Sequence, residues 1–86
     1  LKFKVLHCPG HSPGGMVLQT KNILFAGDVL FFNSIGRTDF PFADHETLID
    51  NIKRKLLTLP EDTIVLPGHG PATTIGFEKE NNPYLD

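Results

Sequence analysis

Three side chains in this sequence are suited to hold a divalent cation where a strand ends: His11, Asp28 and His69. His11 lies in HCPGHSPGG at residues 7–15, where two histidines sit among two prolines and three glycines. The stretch follows an alternating run, Leu1, Phe3 and Val5 set against Lys2, Lys4 and Leu6, that reads as a strand. Pro and Gly end a strand and fix an irregular backbone, so an imidazole there projects from a rigid loop and not from a packed face. Asp28 leaves Ile23-Leu24-Phe25-Ala26 through Gly27, and His69 leaves Ile64-Val65-Leu66 through Pro67-Gly68. If the three strands share one sheet and run the same way, the three groups converge at one edge. Neutral imidazole suits zinc, iron or manganese, and a carboxylate can bridge two cations because it has two oxygens. His11, a bridging Asp28 and His69 would then link two metals able to hold a hydroxide and a substrate carbonyl. The alternative is that each is only a turn residue or a backbone cap.

Catalytic zinc usually has three protein ligands plus water. Here one metal would have only His11 and Asp28, and the other only Asp28 and His69, so the site read from these residues is half built. His7, at a strand end, reads as a hydrogen-bonded structural histidine, and Cys8, without a paired base, as a small packing residue. His45 reads as solvated. Arg37 and Asp39 either pair with each other at a pocket rim, or Arg37 meets a substrate carboxylate. Gly68 and Gly70 give the loop the backbone freedom that aims His69.

The elements that must position these groups fit one small domain. A chain of 86 residues buries roughly 60–65% of the surface it would expose unfolded. The net charge is -2 with Lys and Arg dispersed, which argues against nucleic acid and membrane surfaces as partners. A single cysteine excludes an internal disulfide and suits a cytoplasmic setting. No apolar run approaches the roughly 18 residues of a membrane span, and the first residues lack a signal peptide's apolar block. The chain starts inside a predicted strand without an initiator Met, and reads as a piece of a larger protein.

Met16 to Thr20 and Ile23 to Ala26, around Lys21-Asn22, predict a tight antiparallel hairpin. Residues 29–43, with Gly36, Pro41 and a cluster of phenylalanines, fit neither period and read as a loop beside the site. Asp44 is the expected N-cap of a helix over residues 45–59. Leu48, Ile49, Ile52, Leu56 and Leu59 form its apolar stripe, with Glu46, Asp50, Asn51, Lys53, Arg54 and Lys55 facing away and Pro60 as the stop. A short strand at residues 63–66 and a short helix near residues 75–82 follow. One main helix covers only one face of a small sheet, yet the strand runs are apolar on both faces. The second face is therefore expected to be covered by something outside this sequence.

These motifs, PGHSPGG at 9–15, FAGDVLF at 25–31, GRTDFP at 36–41, LPGHGP at 66–71 and EKENNPYL at 78–85, resemble the metallo-β-lactamase-fold hydrolases, in the glyoxalase II-like (hydroxyacylglutathione hydrolase-like) branch. The resemblance implies an α/β (α+β) fold, in which residues 1–86 are the C-terminal half of a single αβ/βα sandwich domain, a small mostly antiparallel sheet with one main covering helix. It implies that His11 ligates a first metal, Asp28 bridges two and His69 ligates the second, with zinc as the metal, two per complete site, and iron or manganese as alternatives. Asp at position 28 in place of Cys points toward the thioesterase-like members and away from true β-lactamases. The family's His-x-His-x-Asp-His motif belongs to the N-terminal half and has no match here. By resemblance the whole enzyme hydrolyses a thioester such as S-lactoylglutathione with a metal-bound hydroxide, this half contributing metal ligands and no further catalytic group. The alternatives are a mononuclear-iron persulfide dioxygenase of the same fold, which also resembles the GRTDF stretch, and an inactive fold fragment. The expected partners are the small-molecule substrate and either the missing N-terminal half or a second copy.

Overall fold

The structure, a computed structural model, describes residues 2–9, 15–38 and 43–85. Its strands are β1 (Lys4–His7), β2 (Met16–Thr20), β3 (Ile23–Gly27), β4 (Leu30–Phe31), β5 (Ser34–Ile35), β6 (Ile64–Pro67) and β7 (Thr73–Thr74), and its helices are α1 (His45–Asn51) and α2 (Ile75–Asn81). One sheet runs in the order β1-β2-β3-β6-β7, and β4 pairs with β5 separately. Only the β3–β6 pairing in the larger sheet is parallel. The chain is thus the mixed α+β, mostly antiparallel arrangement that the sequence implies. Because β2 is antiparallel to both neighbours, β1, β3 and β6 all point the same way and all end at one edge.

Thr20 faces Ile23 across the β2–β3 turn, where Lys21 adopts a left-handed φ of 50°. Lys-Asn thus makes the tight hairpin expected, although this conformation is uncommon for a lysine. Residues 30–35 depart from the predicted loop, because a second tight hairpin joins β4 to β5 through Phe32 and Asn33, with Asn33 at φ 58°. Strands of two residues are too short to display a period, which is why the pattern is silent there.

The helix also differs. Asp44 caps α1 as expected, its carboxylate accepting from the Thr47 N–H at 3.0 Å. That backbone hydrogen bond holds the Asp44 carboxyl below its ordinary range. From Ile52 to Leu56 the helix widens into π-type turns, with the Leu57 N–H donating to Ile52 O at 3.0 Å. In an α-helix a step of four residues overshoots one turn by about 40°; in the wider turn it falls short by a similar amount, which brings Leu56 back into line with Leu48. Leu48, Ile52 and Leu56 are all fully buried along this straightened line. Asn51 and Lys55 do not face away as expected. Asn51 is buried and donates to Pro9 O at 3.3 Å and Thr47 O at 2.9 Å, and Lys55 Nζ donates to His7 O at 2.7 Å.

Leu24, Ala26 and Val65 meet this helical stripe on the inner face of the sheet, joined by Val17, Leu30 and Ile75. The register puts Val5, Leu18, Phe25 and Leu66 in one row on the opposite face. There Phe3, Val5, Met16, Phe25 and Ile64 remain between 39% and 52% exposed. The outer face is apolar and open, the character of a contact surface. No helix among the described residues is long and apolar enough to cross a membrane.

Candidate active site

The parallel β3–β6 pairing sets Gly27 opposite Pro67, and the Gly68 N–H donates to Gly27 O at 2.8 Å. Gly27, at φ +53°, turns the chain out of β3, and the Val29 N–H closes that turn on Ala26 O at 2.9 Å. Asp28 therefore sits at the corner of a closed turn whose next residue, Val29, is buried. A side chain at position 68 would bring its Cβ to 3.2 Å from Gly27 O and 3.4 Å from Asp28 Oδ1, close enough to push the two strand exits apart by a few tenths of an ångström. The following residue is His69, and Gly70 at φ +84° redirects the backbone immediately after it. Neighbouring strand ends thus present a carboxylate and an imidazole side by side, both exposed.

Asp28, His69 and Arg37 stand in the wall of a cavity of about 500 Å³, with Phe31, Phe32 and Ile35 as its apolar lining. That volume is within the range of small-molecule sites. Phe31 meets the His69 ring edge to face, with centroids 4.8 Å apart and planes at 83°. This contact restrains the imidazole, and no motif in the sequence signals it. A smaller adjoining hollow of about 280 Å³ shares Arg37 and includes Thr38, His45 and Tyr84. His45 is exposed, as expected of a solvated residue, yet its Nδ1 lies 3.2 Å from Thr38 Oγ1.

His11 and Asp39 lie outside the described residues. The residues on either side of the segment with His11 are described: the Cys8 N–H donates to Gly15 O at 2.9 Å, and Lys55 and Asn51 hold the carbonyls of His7 and Pro9. The end of β1, just before Cys8, lies at the same sheet edge as Asp28 and His69. Cys8 is fully buried in the core, and burial pushes its thiol up against the opposing pull of Lys55. Among the described residues, no three His, Cys, Asp or Glu side chains come together as a metal cluster. An exposed carboxylate and imidazole opening on one cavity are nonetheless donors of the type that zinc, iron and manganese accept.

A sequence model of the Metallo-beta-lactamase superfamily matches residues 1–69. The chain belongs to that superfamily. It is 55% identical over 86 residues to hydroxyacylglutathione hydrolase GloC of Haemophilus influenzae, a match covering 98% of this chain and 41% of that protein. The crystal structure of BLEG-1 B3 metallo-beta-lactamase superposes with a TM-score of 0.92 at 54% identity, over 96% of this chain and 41% of that one. TTHA1623 in a di-iron-bound form gives 0.91 at 50% identity, over 96% and 42%. ETHE1 from Myxococcus xanthus gives 0.89 at 39% identity, over 94% and 38%. The chain thus spans about two fifths of the length of these metallo-beta-lactamase-fold relatives. Proteins of this superfamily bind metal, TTHA1623 in its di-iron form among them.

Proposed function

We propose that this chain is the metal-holding C-terminal part of a metallo-beta-lactamase-fold domain whose complete form hydrolyses a thioester such as S-lactoylglutathione. The observation that carries the reading is the emergence of Asp28 and His69 from adjacent parallel strand ends into one cavity. Asp28 would bridge two metals, His69 would ligate one and His11 the other, with zinc as the metal of the complete site. When bound, such ions supply a Lewis acid for the carbonyl and lower the pKa of a water. The chain's own residues then shape the pocket. Phe31, Phe32 and Ile35 exclude water from the reacting end, and Arg37 offers a cation to a substrate carboxylate. Gly68 keeps the two ligand-bearing exits in contact.

Hydrolysis belongs to the complete protein, since these residues supply only part of a two-metal ligand set. The open outer face would be covered by the N-terminal half of the same domain, or by a second copy when that half is lacking. A reduced, buried Cys8 accords with a cytoplasmic setting. The name of GloC supports the thioester. The likeness to ETHE1 favours a second reading, a persulfide dioxygenase with one iron. The two are separated on the purified full-length protein by counting metals per chain and assaying S-lactoylglutathione cleavage beside sulfite release from glutathione persulfide. Two metals with thioester cleavage is the expected result; one iron with sulfite release would replace this reading by the second.

A further inference from the structure

Glu78, on α2, has no exposed surface, and nothing in the proposed chemistry uses it. Its carboxylate accepts from three neutral donors on three segments. The Asn33 N–H donates to Oε1 at 3.0 Å, Asn82 Nδ2 donates to the same oxygen at 2.8 Å, and the Thr73 hydroxyl donates to Oε2 at 2.6 Å. Asn82 Nδ2 also donates to Ser34 O at 3.0 Å. The turn of the β4–β5 hairpin is thereby gripped at successive residues, through the N–H of Asn33 and the carbonyl of Ser34. Asn33 is the residue with the left-handed φ of 58° that a tight hairpin turn uses and Asn tolerates. Next to Glu78, Phe77 stacks on Phe32 with ring centroids 5.1 Å apart, a second hold by α2 on the same hairpin. This hairpin is the cavity wall, carrying Phe32, Ile35 and the Phe31 ring that abuts His69.

We infer that Glu78 is a positioning residue: through Asn33 and Asn82 it sets the β4–β5 hairpin and so the substrate-facing wall of the cavity, without touching Asp28 or His69. The enzymatic part of this inference rests on the thioester reading above. A polar residue can serve as such a clamp only while its partners stay satisfied, because removing it leaves buried donors without acceptors. Gln at position 78 would keep an oxygen for Asn33 and Asn82, and the Thr73 hydroxyl can turn to accept from its amide. Ala would keep neither.

The test uses the metal-loaded full-length protein with Glu78→Ala and Glu78→Gln. For Glu78→Ala we expect the KM for S-lactoylglutathione to rise about tenfold, with kcat and metal content within about twofold of wild type, and for Glu78→Gln a KM within about threefold of wild type. Amide hydrogen exchange over Leu30 to Ile35 should quicken about tenfold in Glu78→Ala and stay near wild type in Glu78→Gln, with β2 and β3 unchanged in both. An unchanged KM and exchange rate in Glu78→Ala, a loss of metal, or a Glu78→Gln variant as impaired as Glu78→Ala would overturn the inference. If wild type does not cleave the thioester, the proposed function fails and the exchange rates alone decide the clamp. If Glu78→Ala does not fold, Thr73→Val removes only the Oε2 donor, and the same readouts should move about threefold in the same direction; no movement overturns the inference.

Discussion

The Gly68 N–H donates to the Gly27 carbonyl at 2.8 Å, so the peptide before Asp28 is bound to the peptide that enters Gly68, one residue ahead of His69. The two candidate ligands keep their separation through this bond, not through any contact between their own side chains. Gly68→Ala should disturb it, because the new Cβ would press on backbone oxygen at 3.2 Å that cannot swing aside. The expected cost is about 1–2 kcal/mol of unfolding free energy, read from urea denaturation of the full-length protein, accompanied by weaker metal retention during dialysis. A Gly68→Ala protein that matches wild type in both would show that the close approach is not required.

Asp28 and His69 are exposed, so replacing them should separate function from stability. In the metal-free full-length protein Asp28→Ala and His69→Ala are each expected to shift stability by less than about 0.5 kcal/mol. A bridging carboxylate serves two ions and a terminal imidazole one, so Asp28→Ala should lose more metal per chain than His69→Ala. Elemental analysis after gel filtration reads this ranking directly, and equal or reversed losses would argue against a bridging Asp28.

The outer sheet face predicts how the 86 residues behave by themselves. With Phe3, Val5, Met16, Phe25 and Ile64 open, the isolated segment should self-associate and bind a hydrophobic dye. Phe25→Thr with Ile64→Thr should shift it toward monomer in sedimentation velocity, yet destabilise the full-length protein by about 2–4 kcal/mol if that face is buried there. A monomeric, dye-silent wild-type segment would contradict this account.

Cys8 supplies a pH dependence. Burial raises its thiol above the ordinary value of 9.0, with Lys55 pulling the other way. Folding therefore keeps the full contribution of the neutral thiol below pH 9.0 and loses it as pH climbs through the raised folded value. The melting temperature of the full-length protein should fall over that alkaline range, and Cys8→Ala should flatten the fall. At pH 8, iodoacetamide should label Cys8 only as fast as the protein opens.

Local patterns in the sequence determined the elements whose periodicity or punctuation is complete within a few residues. The Lys21-Asn22 hairpin, the Asp44 cap, the Leu48-Ile52-Leu56 stripe and the glycine-marked strand exits before Asp28 and His69 were all legible this way. The direction shared by β1, β3 and β6 was only conditional, because strand order depends on pairing between residues about 40 positions apart, as in Ile23 with Ile64. Tertiary structure alone decided that Asn51 and Glu78 are buried. A polar side chain goes inside only when partners wait there, and theirs include Pro9, 42 residues from Asn51, and Asn33, 45 residues from Glu78. It also decided which apolar residues stay open, since Phe25 and Leu24 are equally hydrophobic neighbours that the pleat sends to opposite faces, and only the Leu24 side meets the helix.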